Sequence, residues 1–499
     1  MNAKSMTRLI VACALWFGAS VAVAQADALV IVQSTDATSL DPAFRGDTAT
    51  GNVIGHIFDP VMLRTADLEI EPHLAESVEQ LDDLTWRITL RDGISFANGE
   101  PLEAAAIEYS LERILDPGLQ SPIRQWFTGF AEIDVVDTHV LEITTAVPDP
   151  LFQARLSLLF PVPPGYVEEV GATQFAREPI GTGPYRLAFW TRDGSALLRA
   201  NEEYWGDAPT FDRVTFRVVP EELARVFALQ TGEADIVAGV SPEQAASIQG
   251  MADLRVEMVA STRVMVLGFD PDYGPADQLA FREAVAFAVD RDAIIYDLLD
   301  GFVEPVRSIF SPGVPGWPRD VAFDYGFDPE RARELVEEHG LGAYQIELRS
   351  SSGRYPYDRD TAQAVGQMLQ DVGLNVVVRP QEWGVFFGDL QQGDMSAVYL
   401  MGHGNVWFDP YPQLEAFVHS EGFLSTWSDE RVDELLAASN LARGAEREAI
   451  FGEALQVLHD DVAVVPLYAQ ATLYGVNERL QWQPRTDDII RAQEVQRAD

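Results

Sequence analysis

The sequence predicts an α/β fold interrupted by an inserted segment, and three observations support this prediction. The chain has 499 residues, of which 47% are hydrophobic, so it can bury a large core and is not a disordered chain. Strand-type and helix-type patterns follow one another before a middle insertion, and the same alternation returns after it. This order favours α/β lobes over a helical bundle or a β-sandwich.

The first part of the chain begins with a strand and leads into the insertion. Residues 28–33 are predicted to form the first strand, which ends in a turn at 39–42. Within the insertion, residues 85–90 alternate apolar and polar side chains, as a half-buried strand does. Residues 104–115 have the apolar spacing of a helix, and a second helix is predicted at 151–162.

A central stretch, residues 179–236, follows the insertion. It opens with a Gly-rich turn at 181–184, where glycine permits a positive φ. A helix is predicted at 221–230, with Gly232 as its stop. Three strands are predicted before that helix, at 185–190, 196–200 and 213–219.

The last part of the chain returns to alternating elements. Helices are predicted at 279–289 and 292–299, and Asp328 followed by Pro329 is a typical helix start. A βαβ unit is then predicted, with its strands at 344–348 and 375–379 and its helix at 360–371.

Three motifs of the central stretch carry a family resemblance. They are GTGPYR at 181–186, NEEYWGDAP at 201–209 and RVFALQTGEADI at 225–236. In this order they resemble the signature region of the large extracellular solute-binding proteins of ABC importers, the family of dipeptide, oligopeptide and nickel binders. The resemblance extends over nearly the whole mature chain, and residues 90–117 resemble the smaller domain of that family. It implies a two-lobed periplasmic binding protein of type II, a Venus-flytrap, with an additional inserted α+β domain.

The resemblance also implies a domain organisation and a function. We expect a periplasmic component that captures a peptide or similar small polar solute between two lobes, as a monomer. It would then deliver the solute to ABC permease subunits in the inner membrane. The expected domains are a signal peptide at 1–26, lobe I at 27–60, 179–269 and 468–499, the inserted domain at 61–178, and lobe II at 270–467.

The N-terminus predicts export without a lipid anchor. Lys4 and Arg8 precede an apolar run at 9–23, and small residues follow, which is typical of a signal peptide cleaved after Ala24 or at 26. A transmembrane anchor is the alternative, but the run is short for a bilayer. The single cysteine, Cys13, lies inside the run, whereas a lipid-modified cysteine would be the first mature residue. Export without a lipid anchor fits a location in a Gram-negative periplasm.

Charge and residue types exclude several classes of function. The formal net charge is −43, so nucleic acid and anionic membrane are not expected partners. With its only cysteine in the predicted signal peptide, the mature chain has no disulfide and no thiolate site. The sequence has no G-x-S-x-G, H-E-x-x-H or P-loop motif, and its seven histidines are dispersed. We therefore expect no catalytic residues, no metal site and no cofactor, and a secreted hydrolase is kept as the alternative of a different class.

Candidate ligand contacts come from turns and aromatic loops. The stretch 399–428 follows a strand and mixes aromatic and polar side chains suited to holding a small solute at a domain interface. Relatives place ligand contacts in the corresponding stretch, which supports Asn405, Trp407 and Phe408. The full candidate set is Arg45, Trp126, Arg354, Tyr355, Trp383, His403, Asn405, Trp407, Phe408, Asp409 and Trp427.

One departure from the family bears on the ligand. Peptide binders hold the ligand's ammonium with an aspartate three residues before a DP-like pair, and here that position is Val406. Their carboxylate-binding arginine has no evident match near Trp383 either. An unpaired ammonium would be costly to bury, so a plain dipeptide in the usual pose is disfavoured. A nickel chelate, an opine or an oligosaccharide stays an alternative, and Arg354 is a candidate for holding an anionic group.

Overall fold

The computed structural model describes residues 27–422 and 424–498, so the predicted signal peptide lies outside the described residues. The strands are, in chain order, β1 (Ala28–Gln33), β2 (Met62–Arg64), β3 (Ile70–Pro72), β4 (Ala75–Gln80), β5 (Thr85–Leu90), β6 (Phe130–Asp137), β7 (Val140–Thr145), β8 (Tyr185–Thr191), β9 (Ser195–Ala200), β10 (Arg213–Val218), β11 (Ile236–Ala238), β12 (Leu254–Gly268), β13 (Glu304–Pro305), β14 (Gln345–Ser352), β15 (Asn375–Glu382), β16 (Val398–His403), β17 (Val464–Asn477), β18 (Leu480–Gln481) and β19 (Gln496–Arg497).

The α-helices lie between these strands. They are α1 (Thr48–Ile57), α2 (Ala104–Leu115), α3 (Phe152–Leu156), α4 (Pro164–Val170), α5 (Ala172–Phe175), α6 (Glu222–Gln230), α7 (Pro242–Gln249), α8 (Leu279–Ala288), α9 (Pro329–Glu338), α10 (Asp358–Asp371), α11 (Trp383–Gln391), α12 (Pro410–Val418), α13 (Glu430–Ser439) and α14 (Gly444–Asp460). A π-helix at Ala293–Leu298 stands where the second helix after the central stretch was predicted. Over the described ranges, every helix is too short or too polar to cross a bilayer.

One large mixed sheet runs through the molecule in the order β15-β14-β16-β12-β17-β11-β1-β10-β9-β8, and β13 adds to β17. β1 is parallel to β10 and β11, whereas β8, β9 and β10 pair antiparallel. At the other end, β14 is parallel to β15 and β16 around the crossover helix α10, so the predicted βαβ unit is confirmed. The α/β class predicted from alternating elements is therefore confirmed.

Two long strands, β12 and β17, join the two halves of this sheet. Residues 254–260 of β12 pair with 471–477 of β17, and 264–268 pair with 464–469. The register shifts between Ala260 and Val264, where the pairing is interrupted. A shift of this kind bends a strand and increases its local twist, so the sheet changes direction at residues 261–263.

The insertion forms its own antiparallel sheet, β4-β5-β7-β6, whose inner face packs against α2. Burial alternates strictly along β5, with Ile88 and Leu90 facing inward as predicted. A separate buried cluster lies on β1 and α1, and another contains Leu267 and Val465 on the far half of the large sheet. Each of these clusters is a hydrophobic core of its own, and the predicted lobe boundaries stay a prediction.

Two predictions of local structure are wrong. The helix predicted at 151–162 ends at Leu156, because Phe160 and Val162 each precede a proline and such residues disfavour the helical region. The glycines of the 181–184 turn do not adopt a positive φ. They are needed for close approach: a Cβ on Gly181 would lie 2.2 Å from the Ile57 carbonyl oxygen, and one on Gly183 would lie 2.6 Å from the His56 oxygen.

Candidate ligand-binding cleft

A cavity of about 350 Å³ lies where the insertion, the bend of β12 and the chain end meet. Its walls come from the turn before α1, from the insertion, from residues 261–263, from the loop 405–408 after β16 and from the segment 486–491. Small-solute sites in proteins have volumes of about 300–1,000 Å³ and lie preferentially between domains. Of the candidate residues, Arg45, Trp126, Asn405, Trp407 and Phe408 line this cavity.

The side chain of Asn405 shapes the loop that carries the aromatic residues. Its Oδ1 accepts the backbone N–H groups of Trp407 at 3.2 Å and Phe408 at 2.9 Å, and its Nδ2 donates to the carbonyl of Asp409 at 2.8 Å. Phe408 has φ +58°, a left-handed conformation that costs a bulky residue on the order of 1–3 kcal/mol. Asn405 therefore holds a strained loop whose aromatic side chains line the cleft.

The indole of Trp407 contacts the insertion across the cleft. Its ring centroid is 5.7 Å from that of Trp126, in a T-shaped arrangement. The Arg155 guanidinium lies 5.0 Å from the Trp407 ring centroid, donates to the Trp126 carbonyl and pairs with Asp149 at 2.7 Å. Arg155 is thus paired with a carboxylate of the insertion and contacts both the backbone of Trp126 and the ring of Trp407.

Four arginine side chains line the same cavity: Arg45, Arg64, Arg263 and Arg491. Among the described residues, none of the four has a carboxylate oxygen within 4.0 Å of its guanidinium. Burial lowers the pKa of the Arg45 and Arg64 guanidinium groups to about 10, and it lowers that of Arg263 and Arg491 as well. These groups still carry their charge at neutral pH.

The carboxylates at the cavity are engaged by other protein groups. Asp47 caps α1 by accepting the backbone N–H of Thr50 at 2.8 Å. Burial opposes ionisation of Asp487, but its two hydrogen bonds from Arg485 prevail and lower the pKa of its carboxyl. Burial raises the pKa of Asp488 to about 6.

A second compartment of about 530 Å³ adjoins the first. The two share Ser261, Arg263 and Asp488 as lining residues, so the bend of β12 lies between them. Most of the other walls of the second compartment are apolar, including Phe302 and Leu473. The cleft is therefore cationic and aromatic at one end and largely apolar at the other.

Arg354, Tyr355 and Trp383 form a cluster of their own on the far half of the sheet. The Arg354 guanidinium lies 5.2 Å from each of the two ring centroids, and the rings pack edge to face at 5.9 Å. The Arg263 guanidinium lies 5.5 Å from the Tyr355 ring centroid. The cluster is thus next to the cleft through Arg263, although none of its three members lines the first cavity.

His403, Asp409 and Trp427 do not line either compartment. His403 is buried and stacks on Phe417, and burial lowers its pKa to about 3, so the ring is neutral. Asp409 caps α12 and pairs with Arg447 at 2.5 Å, and Trp427 donates to Asp461 at 2.7 Å. Ligand contact by these three residues stays a prediction.

Within ranges 27–422 and 424–498, no group of three or more His, Cys, Asp or Glu residues could hold a metal ion.

A family model for bacterial extracellular solute-binding proteins, family 5 Middle, matches residues 69–425. The chain belongs to this family. Among its relatives is the glutathione-binding protein GsiB of Escherichia coli O157:H7, which is 28% identical over 93% of this chain and 92% of that protein.

Solved structures share the fold of this family-5 solute-binding protein. HbpA2 from Haemophilus parasuis matches with a TM-score of 0.88 at 20% identity, covering 95% of this chain and 100% of that one. DppA from Helicobacter pylori in complex with the peptide STSA matches with a TM-score of 0.72 at 22% identity, covering 94% and 98%. The predicted periplasmic-binding-protein fold is confirmed by this likeness.

Sequence reasoning missed several residues lining the cleft of this solute-binding protein. They are Arg64, Ser261, Thr262, Arg263, Asp487, Asp488 and Arg491. Arg64 is only 7% exposed although it ends a three-residue strand, and nothing in the local pattern indicates that burial. Arg263 lies at the bend of β12, where the polar run 261–263 directly before the apolar half of a long strand was an available signal.

Proposed function

We propose that this protein is the periplasmic substrate-binding component of an ABC importer and captures a peptide or similar small polar solute. The arrangement that carries the proposal is the cleft between the insertion and the loop 405–408, where Trp126 and Trp407 face each other. Family membership supports solute binding, and the names of GsiB and DppA associate those relatives with glutathione and with a peptide.

The finer parts of the proposal rest on the sequence. Export through a cleaved signal peptide at 1–26, a monomeric state and ABC permease subunits as partners follow from the resemblance and the N-terminal pattern. The lobes proposed are 27–60 with 179–269 and 468–499 on one side, and 270–467 on the other. A bound solute would favour the closed arrangement of these lobes through contacts that the open arrangement lacks.

A binding function without catalysis is part of the same proposal. The solute would leave the cleft chemically unaltered, whereas a secreted hydrolase would convert it. Mass spectrometry of each candidate solute after incubation with the protein separates the two functions. An unchanged solute mass supports the binder, and time-dependent product formation would establish the hydrolase.

Thermal unfolding with candidate solutes tests binding, because a ligand of the native state raises the melting temperature. The solutes are short peptides, a nickel chelate, an opine and an oligosaccharide. Trp407→Ala should abolish the shift, since it removes an aromatic wall of the cavity. Trp190→Ala is the matched control, because Trp190 lies on β8 and donates to Asp36 away from both compartments. An unchanged shift in the Trp407 variant would remove this loop from the site.

A further inference from the structure

The charge of the cleft is opposite to the charge of the chain. The whole sequence has a formal net charge of −43. Yet one cavity of about 350 Å³ is lined by four arginines that form no ion pair within 4.0 Å among the described residues. We infer that the cleft takes a small organic anion with at least two carboxylates and does not require an ammonium group on it. This inference rests on the proposed solute-binding function and names its substrate class.

The four guanidinium groups have N–H donors that protein acceptors in the described part of the chain do not fully satisfy. The hydrogen bonds of Arg64 are long, to the Leu68 carbonyl at 3.4 Å and to Ser157 Oγ and the Trp407 carbonyl at 3.5 Å, and its guanidinium lies 4.7 Å from the Phe408 ring centroid. The Nε atoms of Arg45, Arg263 and Arg491 are buried and have no partner among the described residues. A buried charge without a partner is costly, so four in one cavity indicate that an anion completes the site.

The arginines also repel one another. Burial is the main cause that lowers the pKa of Arg64 and of Arg45, and Asp487 acts in the opposite direction on both. Arg485 and Arg45 add to the lowering at Arg64, and Arg491 adds to it at Arg45. The net effect in each case is a lowered pKa, so the charged guanidinium is disfavoured in the empty cavity, and a bound anion would favour it. Arginine suits this task because its planar fork binds carboxylates through two parallel hydrogen bonds.

Among the described residues, each carboxylate that lines the cavity already accepts a hydrogen bond from another protein group. Asp47 caps a helix, Asp487 is held by Arg485, and Asp488 accepts from Tyr474 at 3.1 Å. Val406, at the tip of the loop, is an exposed apolar side chain. An ammonium group in this cavity would therefore meet four arginines and three carboxylates that already accept hydrogen bonds from other protein groups.

The aromatic wall requires that the anion be organic. Trp126, Trp407 and Phe408 line the same cavity as the arginines, and the adjoining apolar compartment leaves room for an uncharged part. Inorganic phosphate or sulfate would leave these surfaces uncovered. Phosphate esters share the oxyanion chemistry of carboxylates, and they form a separate arm of the test.

Thermal-shift and calorimetric titrations of the full-length mature protein test the inference. They use one parent ligand, glutathione, and derivatives of it from which charged groups have been removed. The probes are glutathione, N-acetylglutathione, which lacks the ammonium, and glutathione diethyl ester, which lacks both carboxylates. Citrate and glutarate are compared with the neutral glutaramide and with glycerol 3-phosphate, and trialanine represents a peptide with one carboxylate.

We expect polycarboxylates to raise the melting temperature and N-acetylglutathione to bind at least as tightly as glutathione. The diester, glutaramide and trialanine should give no shift. If no polycarboxylate raises the melting temperature, or if only glycerol 3-phosphate does, the inference is overturned. If no polycarboxylate raises the melting temperature but another solute does, the proposed solute binding still holds. If no solute raises it, both the inference and the proposed function are contradicted.

Arg64→Gln and Arg491→Gln locate the effect in the cavity. Each should weaken polycarboxylate binding at least about tenfold, roughly the loss expected for one charge-assisted contact. Arg431→Gln is the charge-matched control, because Arg431 lies in an exposed pair with Glu453. The empty Arg64 and Arg491 variants should melt no lower than the control. Unchanged binding, or a large loss of stability without ligand, would show that these arginines are structural and would overturn the inference.

Discussion

Two sets of buried or half-buried arginines in this solute-binding protein differ in their partners. In the first set, Arg113 binds Asp41 through both terminal nitrogens, and Arg485 binds Asp487 and Glu494. In the cleft, Arg64 and Arg491 have no such partner among the described residues. The comparison shows that burial alone does not reveal a structural role. Pairing separates arginines that hold the fold together from arginines that are left for a solute.

Arg485→Gln should have the largest effect on stability. Arg485 is 3% exposed, pairs with two carboxylates and donates to the Arg64 carbonyl at 3.1 Å and the Thr65 carbonyl at 2.9 Å, which holds the chain end against β2. Removing one member of a buried pair costs about 3–5 kcal/mol. Chemical denaturation should show a loss of this size, against about 0–1 kcal/mol for the exposed Arg431. Equal losses of stability for Arg485→Gln and Arg431→Gln would contradict a structural role for the paired, buried Arg485.

Asp488→Asn should stabilise the protein above pH 6. Burial raises the pKa of Asp488 from 3.8 to about 6, Thr472, Tyr474 and Arg263 act in the opposite direction, and Asp487 adds to the rise. The folded state therefore holds this proton more tightly, and the stability from the protonated form is complete below pH 3.8 and lost as the pH rises through about 6.

Melting curves from pH 4 to 8 measure this dependence. The gain from asparagine should be on the order of 1–3 kcal/mol at pH 7 and shrink as the pH falls through about 6. Asp92→Asn is the control, because the Asp92 side chain is 93% exposed. The absence of a pH-dependent difference from wild type would contradict the assignment. Polycarboxylate affinity should also rise as the pH falls towards 6, because protonation of Asp488 removes a negative charge beside Arg263.

Arg45→Gln should have the smallest effect on the empty protein. Arg45 lies 5.1 Å over the Phe160 ring but has no carboxylate partner among the residues described. Burial and, to a smaller extent, Arg491 lower the pKa of Arg45, whereas Asp487 raises it, and the net direction is a lowered pKa. Removing this disfavoured charge should offset the lost cation–π contact of about 0.5–1 kcal/mol. Differential scanning calorimetry should therefore find little change in melting temperature. A loss comparable to that of Arg485→Gln would place Arg45 in the structural set.

The elements of the fold were predictable because their signals are local. The predicted strands of the central stretch match β8, β9 and β10 to within one residue, and Asp328 caps α9 with Pro329 in its first turn as expected. Burial alternation, turns and caps each depend on a few neighbouring residues. The prediction of a helix at 151–162 is wrong because the prolines at 161 and 163 prevent its continuation.

The cleft was predictable only in part because its walls come from distant segments. The central stretch that carries the family motifs contributes nothing to the cavity with the arginines, and its glycines pack against the end of α1 instead. The loop 405–408 was found because aromatic and polar residues are dense there. Arg64 and Arg491 are 427 positions apart in a chain rich in arginine, and only the fold brings them to one cavity.

Native mass spectrometry tests the central claim most directly. The mature protein is mixed with equimolar N-acetylglutathione, glutathione diethyl ester and trialanine, and the masses bound to wild type, Arg431→Gln and the Arg64→Gln/Arg491→Gln double variant are compared. We predict a one-to-one adduct of unaltered N-acetylglutathione on the first two proteins and none on the double variant. Adducts of the diester or trialanine, or the same adduct on all three proteins, would contradict an anion site built from unpaired arginines.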